Sequence, residues 1–181
     1  VHQAIGLLLD GHTVPMDAKI VNPSTGTPEE LTLDEYGCLL TFQGWWAEAK
    51  PVRLAHEFVL WGDDYAGTGD FLCRIDGQLW LIDFKTSQSV WPEHEIQVSA
   101  YKHALLRSPV PTMEPVDWSA PLHLGILQLG YKRNKKGWKL TEVEDQYSLF
   151  EAATAIWARE TKGIEPFKRD YPLMIQLAPG P

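Results

Sequence analysis

At 181 residues, with 44% hydrophobic and 22% charged residues, the chain has the size and make-up of one globular domain with a single sizeable core. No apolar run approaches the roughly 18 residues of a membrane-spanning helix, and two cysteines, Cys38 and Cys73, are too few and too far apart for a zinc knuckle or an iron–sulfur cluster. A net charge of −8 argues against a passive nucleic-acid-binding protein, but less against an enzyme whose carboxylates hold a cation, because the cation offsets them locally.

Residues 1–10 (VHQAIGLLLD) place Ile5, Leu8 and Leu9 at helical spacing, with Gly11 as a stop. Residues 21–30 (VNPSTGTPEE) read as a loop. Leu33 to Ala49 reads as a second helix with Leu39, Leu40, Trp45 and Trp46 as core candidates, ended by Pro51. Val52 to Trp61 is strand-like, and residues 61–67 (WGDDYAG) form a loop. Gly69–Ile75 and Gln78–Lys85 are expected as two strands joined by Asp76-Gly77, a dipeptide that favours a two-residue hairpin turn. Ser89 to His94 reads as a loop and Glu95 to Arg107 as a helix. Pro109, Pro111, Pro115 and Pro121 mark a long connection. Leu122–Tyr131 and Gly137–Val143 read as strands around a basic turn, and Ser148–Thr161 as a last helix. Residues 166–181 are Pro-rich and expected to be irregular. The order α, α, β, β, β, α, β, β, α implies a single α/β domain over 1–181, with helices in 1–50, a core in 52–107 and a closing part in 122–161. Two buried, reduced thiols are the plain reading of the cysteines.

The hairpin turn carries a geometric expectation. If Asp76 and Gly77 are the loop residues, Ile75 faces Gln78, and counting outward brings Asp70 opposite Asp83. Facing residues of an antiparallel pair point to one side, with Cβ atoms about 4.5–5.5 Å apart. Strand alternation puts Lys85 on the same face. Two facing carboxylates among apolar residues repel unless a cation compensates them, and hard oxygen ligands at this separation suit magnesium or manganese. The plainer alternative is that both acids are solvated at strand ends and Lys85 makes a surface pair.

Three blocks, GTGD (67–70), IDFKTS (82–87) and QVSAY (97–101), stand in this order, with 13 positions from Asp70 to Asp83 and 12 from Lys85 to Gln97. Together they resemble the RecB-type branch of the PD-(D/E)XK nuclease superfamily. The resemblance implies a central mixed β-sheet flanked by helices, a restriction-endonuclease-like core, and hydrolysis of DNA phosphodiester bonds with one or two Mg2+ or Mn2+ ions. It implies that Asp70, Asp83 and the backbone carbonyl of Phe84 are metal ligands, that His2 adds a nitrogen ligand, and that Lys85 is the catalytic lysine. Gln97 and Tyr101, four apart and so on one helix face, would position the phosphate or the attacking water. Thr86 would contact substrate or hold the loop. Glu57 (HEFVLW) resembles an acid on the first core strand, and either orients a metal-bound water or pairs with Arg53 or Arg74. A stand-alone exonuclease of the phage or bacterial recombination and repair type is the nearest resemblance. No Walker motif is present for a helicase. The implied setting is the cytoplasm of a bacterium or an infected host cell. The implied partners are DNA and either further copies of the chain or a recombination protein, with no membrane and no iron–sulfur cluster.

Two further features allow two readings each. The run YKRNKKGWK (131–139) holds Lys132, Arg133, Lys135 and Lys136; it is either a solvated turn or a phosphate-contacting one, with Tyr131 or Trp138 as a stacking face. Trp61 and Trp91 flank the candidate site in sequence, and core packing is the favoured expectation over base stacking.

Overall fold

Asp76 and Gly77 both adopt positive φ, 50° and 80°, the geometry of a turn whose twist matches the flanking strands. The computed structural model that shows this turn describes residues 1–22 and 25–164. Around the turn, β4 (Ala66–Ile75) and β5 (Gln78–Lys85) pair in the expected register, from Ile75 with Gln78 to Phe71 with Ile82. With the other described elements numbered along the chain, β3 (Val52–Trp61), β6 (Leu122–Leu129) and β7 (Trp138–Val143) complete a five-stranded sheet of order β3-β4-β5-β6-β7. Only β5 and β6 are parallel within it, because α3 (Pro92–Arg107) carries the chain back across the sheet between them. The other neighbours are antiparallel. The protein is therefore an α/β domain with a mixed central sheet flanked by helices.

Alternation along the strands divides the core in two. Phe71, Cys73, Ile82, Phe84, Leu127 and Leu129 pack with α1 (His2–Leu9) and α2 (Leu33–Ala49), where Ile5, Leu39, Phe42 and Trp45 are buried. Leu72, Leu79, Leu81, Leu124 and Ile126 pack with Val98, Ala104 and Leu105 of α3. The final helix, α4 (Tyr147–Glu160), buries no residue fully and lies against α3 through the His103–Tyr147 ring stack at 3.7 Å. Both cysteines are free and buried, as expected, and burial pushes the Cys73 thiol well up. Among the described residues no helix is long and apolar enough to cross a membrane.

Several expectations need correction. Residues 21–30 are not all loop: β1 (Lys19–Val21) pairs with β2 (Pro28–Glu30) in a small separate ladder. Leu40 is 54% exposed rather than core, and Cys38 and Phe42 take the buried positions beside Leu39 and Trp45. β4 begins at Ala66 rather than Gly69, and α3 begins at Pro92, a residue preorganised for the first helical position. The tail expected over 166–181 lies outside the described residues.

Helix α2 is started by a reciprocal capping box between Thr32 and Glu35. Its interior nonetheless holds Gly37, where an added Cβ would meet nothing within 4 Å. Glycine loses more freedom on folding than alanine, so Gly37→Ala is expected to stabilise the fold by about 0.5–1 kcal/mol. The midpoint of a urea unfolding curve at unchanged slope checks this.

Candidate active site

The β4–β5 ladder ends at the Phe71–Ile82 pair, one step short of the expected Asp70–Asp83 pair. Beyond it the side chain of Asp70 turns in, and its Oδ2 accepts the Phe84 N–H at 2.8 Å. The Phe84 carbonyl lies 2.9 Å from His2 Nε2, and His2 Nε2 is 3.4 Å from Asp70 Oδ2. The first residue of α1, Asp70 and the end of β5 thus meet at one point. The hydrogen bond to Asp70 raises the His2 pKa above its ordinary value, against burial.

Asp83 is 4% exposed. Burial first, and then the neighbouring Asp70 charge, push its pKa up to about 6, although the Lys85 ammonium opposes the shift. Lys85 Nζ is 2.6 Å from Asp83 Oδ2, a close ion pair. Lys85 Nζ also donates to Gln97 Oε1 at 3.1 Å, and Gln97 Nε2 donates to the Tyr101 hydroxyl at 2.9 Å. The two helix residues expected on one face therefore form a single chain of contacts ending on the lysine.

Gly67 has a packing role here. An added Cβ would stand 2.5 Å from the Tyr101 ring and 2.9 Å from its hydroxyl oxygen. Gly67→Ala must displace that ring and with it the support of Gln97. The expected cost is about 1–3 kcal/mol, measurable by denaturant unfolding.

Glu57 sits opposite Asp70, between the His56–Phe71 and Phe58–Gly69 pairs. Its φ is +47°, a strained conformation for a residue with a side chain, and such strain clusters at functional sites. Its carboxylate lies over Gly6 of α1, close enough that an added Cβ there would be 3.2 Å away. Neither suggested arginine pairs with it: Arg53 donates to the Leu9 carbonyl and lies 3.4 Å from Asp10, and Arg74 donates to the Pro115 carbonyl. His2, Gly6, Glu57, Asp70 and Phe84 border one small cleft. The sequence reading missed the ties that hold α1 there, namely Arg53 on the last carbonyl of α1 and His56 Nε2 at 3.3 Å from Asp10. Residues more than 40 positions apart leave no local signal of such contacts.

The basic turn lies at the same end of the sheet, because Lys85 pairs with Gln128 just before the turn begins. Gln88, three residues after Lys85, fixes it by donating to the Gly130 carbonyl and accepting the Lys132 N–H. Lys136 is engaged by Glu48 at 2.5 Å and lies over the Trp138 ring, and Lys132 is 4.0 Å from Asp34. Arg133 and Lys135 are exposed, with no ion pair among the described residues. Thr86 is exposed between this turn and the lysine. Trp61 and Trp91 are not core residues: they are 64% and 52% exposed, one on the edge strand β3 and the other just before α3.

The site is thus an acid–lysine arrangement at the carboxyl end of the central strand of an α/β domain. Among the described residues no three His, Cys, Asp or Glu side chains are gathered at metal-ligating positions. No family model matches the chain, and no curated protein matches its sequence.

Proposed function

We propose that the chain is a divalent-metal-dependent nuclease that hydrolyses DNA phosphodiester bonds, on a restriction-endonuclease-like core. The observation that carries this reading is the state of Asp83. Even with the Lys85 ammonium 2.6 Å from its Oδ2, this buried carboxylate beside a second one keeps a raised pKa, so further positive charge would stabilise its ionised form. The donors at hand suit a hard cation: the Asp70 and Asp83 carboxylates, the Phe84 carbonyl and the His2 imidazole. A Mg2+ or Mn2+ ion there would supply Lewis acidity, polarising the phosphate and lowering the pKa of water.

The chain's own residues do the positioning. Lys85 holds its ammonium at the edge of the carboxylates, where it orients the attacking water and stabilises charge on a phosphate oxygen. Gln97 accepts one Lys85 proton in a hydrogen bond and so fixes the direction of the others, and Tyr101 holds Gln97 in turn. Glu57 is a further acid on the same small cleft as His2, Asp70 and Phe84, where its carboxylate would orient a metal-bound water. Thr86 and the basic residues Arg133 and Lys135 are exposed at this end of the sheet, where they would meet the DNA backbone.

End-labelled linear and closed circular DNA, incubated with Mn2+ and with or without a chelator, test the reading. Loss of linear DNA that the chelator abolishes is expected. Circular DNA surviving under the same conditions assigns an exonuclease of the recombination and repair type, whereas cutting of both forms assigns an endonuclease. Intact linear DNA in Mn2+ leaves a non-catalytic DNA-binding or assembly subunit on the same scaffold.

A further inference from the structure

A feature left outside this chemistry is a cleft of about 650 Å3 between α2 and the turn that follows β6. That volume falls within the roughly 300–1,000 Å3 of small-ligand sites. His2 and Thr86 are among its lining residues, so it adjoins the candidate active site. Tyr131 and Lys132 form one wall and Gly37 lies on the other. The walls are fastened to each other and to the end of β5. Thr41 Oγ1 accepts the Gly130 N–H, and Gln88 fastens Gly130 and Lys132 to the segment after Lys85.

Gly37 is the informative residue. Gly130 and Gly137 also line the cleft, and each has a reason within the chain. Both have positive φ, and an added Cβ would press on Cys38 and on Thr41 respectively. Gly37 has ordinary helical φ and empty space where a side chain would be. No described residue requires a glycine there, and helix stability argues against one. A glycine that packing does not require, on the wall of a cleft leading from a reactive centre, leaves room for something that enters the cleft.

We infer that the cleft seats the nucleotide of the DNA strand adjoining the scissile phosphate. Its base lies against the Tyr131 ring, its next phosphate lies near Lys132, and its backbone passes Gly37. This rests on the nuclease reading above. The charges facing the cleft are mixed, with Lys132 and His2 as the groups that would meet a phosphate. Glu35 keeps its charge but is turned to Thr32 in the capping box, and Asp34 is highly exposed at the rim, 4.0 Å from Lys132. The start of α2, where unpaired N–H groups concentrate, also borders the cleft.

The test compares two substrates in Mn2+: linear DNA and bis(p-nitrophenyl) phosphate, a diester with no nucleoside to seat. Gly37→Gln places a side chain in the cleft, and Tyr131→Ala removes the stacking face from the opposite wall. For each variant the ratio of kcat/KM on DNA to kcat/KM on the small diester is expected to fall about tenfold, mainly through KM. Thermal melting establishes that each variant is folded, and Tyr131→Ala carries the test alone if Gly37→Gln does not fold. A folded variant whose ratio equals the parent's overturns the cleft assignment and leaves the nuclease reading standing. A parent protein inert towards both substrates overturns both.

Discussion

Replacing Lys85 with alanine is expected to lower Mn2+-dependent DNA cleavage by about 10²–10³-fold, the loss typical of removing one group that stabilises transition-state charge. Three groups converge on this side chain. Its ammonium is 2.6 Å from Asp83 Oδ2 and donates to Gln97 Oε1, and Gln97 is held by Tyr101. Lys85 itself belongs to neither hydrophobic cluster, so the fold is expected to survive. Asp83→Ala should remove cleavage as completely, because it deletes the carboxylate that pairs with Lys85 at the centre. Lys85→Arg is a sharper control. A planar guanidinium keeps the charge but not the compact ammonium geometry that fits between Asp83 and Gln97, so it should not restore the rate. Digestion of end-labelled DNA, alongside a denaturant curve for each variant, reads both effects. Parental cutting by a folded Lys85→Ala or Asp83→Ala protein ends the assignment of this site.

What could be read from the sequence was local. Asp76-Gly77 and the alternation on either side fixed the β4–β5 register over five pairs, because both signals lie within about ten residues of the turn. The four-residue spacing of Gln97 and Tyr101 put them on one helix face, and both reach toward Lys85. What escaped depends on the third dimension. The β1–β2 ladder uses three-residue strands, one of them Pro-Glu-Glu and fully exposed, so it carries no alternation to detect. Leu40 matches the helical pattern but falls on the side of α2 turned from the sheet. Trp61 and Trp91 looked like core on size alone, yet an edge strand and a helix start leave them in solvent. The positive φ of Glu57 has no sequence mark, since a glycine or asparagine would have been the expected residue there. Gly67 stood in a recognisable block, but only the Tyr101 ring against it explains why a glycine is needed.

Replacing Asp83 with asparagine is expected to make the metal-free protein more stable at pH 8 while abolishing its activity. The sign follows from the direction of the shift. In the folded protein the Asp83 pKa is pushed up to about 6 from the usual 3.8, by burial first and by Asp70 second. Between those values the folded state binds more protons than the unfolded state, so stability falls as pH rises from 3.8 to 6 and then levels off. Above pH 6 the parent bears the full penalty of an ionised, buried carboxylate. The Lys85 attraction is already included in that net direction, so its loss in Asp83→Asn does not reverse the sign. The gain at pH 8 should be about 1–3 kcal/mol and should vanish near pH 4, where the parent carboxyl is protonated. His2 titrates in the opposite sense: its raised pKa adds stability that is present below its unfolded value and lost as pH rises through the folded one. That contribution is largely common to both proteins and cancels in their difference. A divalent cation should invert the comparison, because a ligand bound at 100 times its Kd stabilises the parent by about 2.7 kcal/mol and has one carboxylate fewer to hold it in the variant. Urea unfolding at pH 4 and pH 8, with a chelator and then with Mn2+, measures all four corners. A metal-free Asp83→Asn protein less stable than its parent at pH 8 would mean that the Lys85 pairing outweighs burial, and the case for a missing cation at this carboxylate would fail with it.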